Sequence, residues 1–289
     1  MPTIRLADLR KAAEFAELAA AIKAIAKNRQ VLYSPNPGNL GDALIHQGAM
    51  DFLKAFNIPF TWIPRDNVWK LIEASVSGEK LRVDAVLITP GAGAWCANYP
   101  HQRNFVEKAS KLFVVCIVLP TTFHLGPIEA PTSQVVYWAR DKVSSRHFVS
   151  QSSFCHDMAF FLSGNIAVPA KRLPLGTFFR SDAERHPNAA TLADSIDLSS
   201  LGSEVRPIEP FFKILGLFEK VRTDRLHVAV AAAMLGCDVE LYPSGYCKIP
   251  DIFASTFRDN YPKVRLADWE GSAATLGRDT NASGATTDH

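Results

Sequence analysis

VLYSPNPGNLGDALIHQGAMDFLKAF (31–56) reads as strand, turn-rich loop and helix in one pass. VLYS (31–34) carries strand-favouring apolar residues, and PNPGNLGD (35–42) is dense in turn formers. ALIHQGAMDFLKAF (43–56) spaces its apolar residues for a helix. The unit recurs downstream. IPFTWI (58–63) is a strand and VWKLIEASV (68–76) a helix. VDAVLIT (83–89) is a buried strand, followed by the glycine loop PGAGAW (90–95) and the helix NFVEKASK (104–111). LFVVCIVL (112–119) and VVYWA (135–139) are further apolar strands, far short of the roughly 20 residues that span a bilayer. Apolar strands separated by helices predict a mostly parallel sheet covered on both faces.

A second set follows. DKVSSRHFV (141–149) reads as a helix, FCHDMAFFL (154–162) as a strand or turn, and LGTFFRS (175–181) as a strand. PFFKILGLFEK (210–220) and DRLHVAVAAAMLG (224–236) read as helices, DVELYP (238–243) as a strand, IPDIFASTF (249–257) as a helix and VRLA (264–267) as an edge strand. The domain boundary is expected near residue 140, with the chain crossing back at its end. Residues 4–27 carry apolar positions at helical spacing and predict one amphipathic helix. GSAATLGRDTNASGATTDH (271–289) lacks apolar periodicity and predicts a disordered tail.

The chain has 289 residues, 47% of them hydrophobic and 21% charged, with 31 Lys and Arg against 29 Asp and Glu. That balance excludes a wholly disordered chain or a rod, and it offers no polybasic field for nucleic acid. Five cysteines (Cys96, Cys116, Cys155, Cys237, Cys247) form no CxxC pair, so neither a disulfide framework nor a cysteine-rich zinc site is expected. Cys116 and Cys237 stand in apolar context and read as buried. The start has no long apolar stretch of a secretory signal, which with the cysteine usage points to a reducing, cytoplasmic setting.

Five stretches can carry chemistry. GNLGDALI (38–45) follows a strand and opens a helix, with Asp42 at the expected N-cap and Gly38 and Gly41 allowing close backbone approach. TPGAGAW (89–95) sits at the carboxyl end of a strand, where ligands bind in parallel sheets. In ARDKVSS (139–145), Arg140 leaves an apolar strand with a guanidinium suited to a carboxylate or phosphate, and Asp141 reads as a cap that can orient it. In TDRLHVAVAAAMLG (223–236), Thr223 or Asp224 caps a very apolar helix whose first turn holds Arg225, Leu226 and His227. There an arginine and a histidine can both reach one anion at the positive end of the helix dipole. PSGYCKIP (243–250) adds Lys248 on another carboxyl-end loop. On local pattern alone each stretch also fits a capped turn, a surface ion pair or a packed histidine. No HExxH or GxSxG occurs.

Taken in order, these stretches resemble the polysaccharide pyruvyl transferase family. The resemblance runs from about residue 31 to about 267, through GNLGDALIHQG, TPGAGAW, YWARDKVSS, CHDMAFF, FFRSDAE (178–184) and TDRLHVAVAAAMLGCDVELYPSGYCKI. The last two are similar to segments of the exopolysaccharide branch. Pro120 with Thr121 and Thr122, and Gly245-Tyr246-Cys247-Lys248, depart from the branch's usual residues.

The resemblance implies an α/β fold of two Rossmann-like domains, like the GT-B glycosyltransferases, with the active site in the interdomain cleft. Residues 1–140 would form the acceptor side and 141–270 the phosphoenolpyruvate side. It implies transfer of pyruvate from phosphoenolpyruvate to a sugar of a bacterial exopolysaccharide unit on a polyprenyl carrier, with formation of a ketal and release of phosphate. His227 is expected to move the proton, with Asp42 and Asp157 orienting hydroxyls or serving as a second base. Arg140, Arg225, Leu226 and Lys248 are expected at phosphoenolpyruvate, and Asn39, Gly41, Asp42, Gly91 and Gly93 at the acceptor. Phosphoenolpyruvate is a co-substrate, and no cofactor or metal is assigned, since Arg and Lys can meet both charges of the donor. Two alternatives stand beside this: a nucleotide-sugar glycosyltransferase of the same architecture, and a non-catalytic binding scaffold. Six basic residues against three acids in 1–30 raise a further expectation, contact of the N-terminal helix with the cytoplasmic face of the inner membrane.

Overall fold

Parallel strands cannot be joined by tight turns, so each needs a crossover that carries the chain back to the same edge. The computed structural model meets this requirement twice. It describes residues 2–76, 82–129, 134–169, 172–182, 184–186, 188–189 and 195–269. After β1 (Thr3–Arg5) and α1 (Ala13–Ala26) comes a first series: β2 (Gln30–Tyr33), α2 (Leu40–Ala55), β3 (Thr61–Trp62), α3 (Arg65–Val76), β4 (Val83–Thr89), α4 (His101–Ala109), β5 (Phe113–Thr121), β6 (Gln134–Ala139), α5 (Ser145–Phe148) and β7 (Ser153–Phe154). Its strands form a six-stranded sheet of order β3-β2-β4-β5-β6-β7, parallel at every pairing. β8 (Asn165–Ala167) pairs antiparallel with β1. The second series is β9 (Leu173–Phe178), α6 (Glu209–Leu215), β10 (Phe218–Thr223), α7 (Leu226–Met234), β11 (Asp238–Leu241), α8 (Lys248–Ile252), α9 (Arg258–Asn260) and β12 (Val264–Leu266). It gives a parallel sheet of order β12-β11-β10-β9.

The two-residue period of a strand explains the layering of the larger sheet. Val31, Val86, Ile88, Val115 and Ile117 face one core, together with α1, α2 and α7. The alternate residues Leu32, Leu87, Cys116 and Val118 face the other core, with Trp95, Phe105 and Val106. The first core continues into Val221 of β10 and Val239 of β11, so one apolar body joins the two sheets. α1 closes it with Phe15, Leu18, Ala19, Ile22 and Ala26. Its apolar stripe is therefore spent inside the protein, and only its polar face is left for any lipid surface. Cys116 and Cys237 are buried, as their context suggests.

Three readings are corrected. The helix expected over 4–27 begins only at Ala13, because residues 3–5 pair as a strand and the amides of Leu6, Ala7 and Leu9 bond to Gly164, Met234 and Phe160 carbonyls. The helix expected over 210–220 stops at Leu215, and Phe218–Thr223 is β10, a central strand. FEKVRT carries three charged residues and hides its strand identity; pairing with β9 and β11 imposes it. β7 pairs with β6, so residues 153–154, beyond the boundary expected at 140, stand on the larger sheet. The helix expected over 141–149 shrinks to Ser145–Phe148. The chain does reach back near its end: the Lys142 amide donates to Ser255 Oγ, and His156 Nδ1 meets Thr256 Oγ1 at 2.9 Å. The tail expected at 271–289 lies outside the described residues.

Candidate functional site

In the larger sheet the order reverses at β2, which has β3 on one side and β4 on the other. A crevice opens outside the carboxyl ends of strands at such a point. Here the loops after β2 and β4, and Arg140 after β6, meet the chain that leaves β9, β10 and β11 around a cavity of about 240 Å3.

The first wall comes from the larger sheet. Asn39 is the N-cap of α2: its side chain accepts from the Gly41 amide, and Asp42 at the third helical position accepts from the Asn39 amide at 2.9 Å. This reciprocal capping box corrects the reading of Asp42 as N-cap. Burial pushes the Asp42 carboxyl up, partly opposed by His227, the Asn39 amide and Arg140. Arg140 is buried and doubly held, with Nε donating to Thr122 Oγ1 at 2.8 Å and Nη1 to Asp157 Oδ2 at 2.7 Å. Asp157 caps the helical turn 158–161 by accepting the Ala159 amide, and it also lies 3.5 Å from His227 Nε2. Burial would raise its pKa, but His227, Arg140 and the Ala159 amide outweigh that and hold the carboxyl well below its usual range. Asp157 is therefore a fixed anion with an arginine and a histidine on it. Asp141, expected to orient Arg140, instead accepts from Val143, Ser145 N and Ser145 Oγ.

The second wall comes from the smaller sheet and is a lattice of ion pairs. The N-cap of α7 is Arg225, whose amide donates to Thr223 Oγ1. The guanidinium of Arg225 grips Asp197 through both Nε and Nη2, and its Nη1 lies 2.8 Å from Asp182. Asp224, expected as a cap, accepts the Arg180 amide instead. Arg180 contacts Asp182 and Glu184. Lys248 is the first residue of α8, and its Nζ donates to Glu184 Oε2 at 2.7 Å. Burial brings Lys248 down to about 8, with Glu184 opposing and Arg180 and Arg140 adding to the shift. Tyr246 donates to the other Glu184 oxygen at 3.0 Å.

Two glycines let the walls meet. A Cβ on Gly93 would lie 3.3 Å from Tyr246 Oη, 3.4 Å from Arg140 Nη2 and 3.6 Å from Lys248 Nζ, so a small polar cradle surrounds that position. A Cβ on Gly41 would lie 2.6 Å from His227 Nδ1, so the imidazole packs on the bare backbone of α2.

Arg140, Arg225, Leu226, His227, Lys248, Asn39, Asp42 and Gly93 all line one cavity. Asp157 lies behind Arg140 and His227 and is not part of the lining. Gly41 touches His227 rather than the cavity, and Gly91 packs on the Pro120 carbonyl, where a Cβ would sit 1.7 Å away. Sequence reasoning passed over Arg180, Asp182, Glu184, Asp197, Tyr99 and His101 as site residues. Alternating charge in FFRSDAE was the available signal for the first three; Asp197 and Tyr99 had none. His124 meets Cys247 Sγ at 3.0 Å beside this site. Among the described residues, no group of three or more His, Cys, Asp or Glu could hold a metal ion. Among them also, no helix is long and apolar enough to cross a membrane.

No family model and no curated protein sequence matches the chain. Among solved structures, it is similar to a functionally uncharacterized protein from Klebsiella pneumoniae, with 22% identity and a TM-score of 0.68 over 89% of this chain and 100% of that one. At that identity the likeness is one of fold.

Proposed function

We propose that the protein is a ketal-forming pyruvyl transferase acting on a bacterial exopolysaccharide unit, with phosphoenolpyruvate as donor. The two sheets are then two Rossmann-like halves in a GT-B-like arrangement, and the cavity is the cleft between them. One observation carries this reading: cations and proton-transfer groups from both sheets converge on a single small space, with Arg140 and His227 joined through Asp157. A cavity of about 240 Å3 suits a three-carbon phosphate ester. It lies below the roughly 300–1,000 Å3 of clefts for drug-sized ligands, which argues against a nucleotide sugar.

The cradle at Gly93 receives one anionic group of the donor, against Arg140 Nη2, Lys248 and Tyr246. A proton delivered to the methylene carbon draws on the enol π pair and leaves an oxocarbenium-like centre at C2. One sugar hydroxyl forms a C–O bond there and releases its proton. The second hydroxyl forms the other C–O bond, the bond to phosphate oxygen breaks, and its proton is released. Of the two protons released, one replaces that delivered to carbon and one leaves with phosphate. His227 faces this space and is the residue assigned to proton delivery. Asp42, with its raised pKa, is the fitting base for a hydroxyl. Asp157 is too firmly ionised to act as a base, so its part is to position Arg140 and His227. The acceptor would be polyprenyl-linked at the cytoplasmic face of the inner membrane.

A nucleotide-sugar transferase is the second reading: the carboxylates of the second wall offer acceptors for sugar hydroxyls, beside arginine and lysine for a diphosphate. The test is phosphate release from phosphoenolpyruvate with a polyprenyl-linked oligosaccharide acceptor. Wild type should turn over, and His227→Ala should lose 10²–10⁴-fold. Full activity in His227→Ala removes its role. Turnover with a uridine-diphosphate sugar alone, together with thermal stabilisation by that nucleotide only, replaces the donor.

A further inference from the structure

A second hollow of about 460 Å3 lies beside the cavity. One contact joins their linings: the amide of Gly38, which lines the cavity, donates to Glu204 Oε2 in the hollow at 3.1 Å, and this forms part of the partition between them. A β-bridge between Asn39 and Ser203 holds the same partition. Trp62 lines the hollow. It ends the edge strand β3 on the carboxyl side of the sheet, one strand from the loop that carries Gly38. The amide of the next residue, Ile63, is tied to the Tyr33 carbonyl, so the indole has a firm footing. It is nevertheless 46% exposed, and Val205, which also lines the hollow, is 67% exposed. The polar part of the lining includes Gln47 from α2 and Glu204 and Arg206 from the segment that follows the helical turn 198–201, and it is called the rim below.

An exposed aromatic ring within a rim of amide, carboxylate and guanidinium has a particular chemistry. The ring offers an apolar plane, and the rim offers both donors and acceptors at its edge. A pyranose matches both at once: one face of axial C–H groups and a circumference of hydroxyls. A lipid surface calls for clustered cations around a broad apolar face, whereas the lining of this hollow carries Glu204 and Arg206, one acid and one arginine.

We infer that this hollow is a carbohydrate subsite that holds the pyranose adjoining the one whose end enters the cavity. It rests on the pyruvyl-transfer reading only in treating the cavity as a place where a glycan end is modified. A saccharide of two or more units would straddle the Gly38–Glu204 partition, with one ring stacked on Trp62. Trp62 thus selects for a chain over a monosaccharide.

The test is binding of purified protein to a printed array of bacterial oligosaccharides without phosphoenolpyruvate, using wild type, Trp62→Ala, Trp62→Tyr and Arg206→Ala. Wild type and Trp62→Tyr should bind a common set of oligosaccharides. Trp62→Ala should lose at least tenfold in affinity for that set, with an unchanged far-ultraviolet spectrum. If Trp62→Ala does not fold, Arg206→Ala takes its place: a loss of binding there supports the subsite, and full binding overturns it. Equal binding by wild type and the hollow's variants, or no glycan bound by any form, overturns the subsite. Binding to phosphatidylglycerol vesicles that depends on Trp62, in place of glycan binding, overturns it in favour of a membrane face. The array contains no donor, so these outcomes are independent of phosphate release: a failed donor assay leaves glycan binding readable, and a failed array leaves the donor assay standing.

Discussion

The two walls of the cavity use charge in opposite ways. On the larger sheet a single arginine, Arg140, is held by Asp157 and Thr122 on two of its nitrogens while Nη2 faces the Gly93 cradle. On the smaller sheet, Arg180, Arg225 and Lys248 are matched by Asp182, Glu184 and Asp197. The ion pairs of the second wall thus set three cations against three carboxylates, with Asp224 as a further carboxylate on the Arg180 amide, so the wall carries no net positive field. A bound anion there gains little from total charge. What it gains comes from rigid, preoriented N–H groups, and from the first wall, where the guanidinium has a free edge. The second wall instead builds shape, since each of its side chains is locked by another. His227 belongs to both: it rises from α7 of the smaller sheet and meets Asp157 of the larger.

The sharpest way to break this contrast is Arg140→Ala. It leaves the Asp157 charge buried without its guanidinium, a loss of about 3–5 kcal/mol for a severed buried pair. Urea denaturation should show that drop and phosphate release should vanish. A loss below about 1 kcal/mol would mean that the first wall is not the rigid one. A smaller effect comes from pH. Lys248, at about 8, loses its charge as pH rises through that value, so the KM for phosphoenolpyruvate should climb by up to tenfold per unit above it. Lys248→Arg keeps its charge and should flatten the climb; an identical profile in both would take Lys248 out of donor binding. Stability responds with the opposite sign. The unfolded chain holds this proton up to about 10.4, so between about 8 and 10.4 the group itself makes the folded state more stable as pH rises. The smallest effect is Gly41→Ala. Its Cβ would lie 2.6 Å from His227 Nδ1 and must displace the imidazole. A kcat reduced about tenfold, with KM for the donor held and stability within about 1 kcal/mol, would show that the meeting of the walls is set by that glycine. An unaltered kcat would show that His227 does not need its place against α2.

The legible parts of this chain were those with an unbroken local signal. β4 and β5 are runs of apolar residues buried on both faces, and the apolar spacing of α2 marks it as a helix. Residues Arg225 to His227 could be placed at a helix start because an apolar helix follows them directly. β10 was not legible, since Glu219, Lys220 and Arg222 interrupt its apolar pattern and only its neighbours make it a strand. Asp157 could be marked as a candidate, but not as the joint between Arg140 and His227: those contacts cross 17 and 70 residues of chain. Asp197 could not be marked at all, because its partner Arg225 is 28 residues away.

The residue pattern by itself determined that this is an α/β protein of parallel strands, and which loops stand at the carboxyl ends of those strands. Hydrophobic periodicity and turn chemistry are local, and they survive in a one-dimensional reading. Tertiary structure alone decided which charges meet: that Asp157 joins Arg140 to His227, that three carboxylates neutralise the second wall, and that Trp62 stands beside the cavity with its ring exposed. Coulombic and hydrogen-bonding partners depend on distance through space, and distance along the chain carries no record of it.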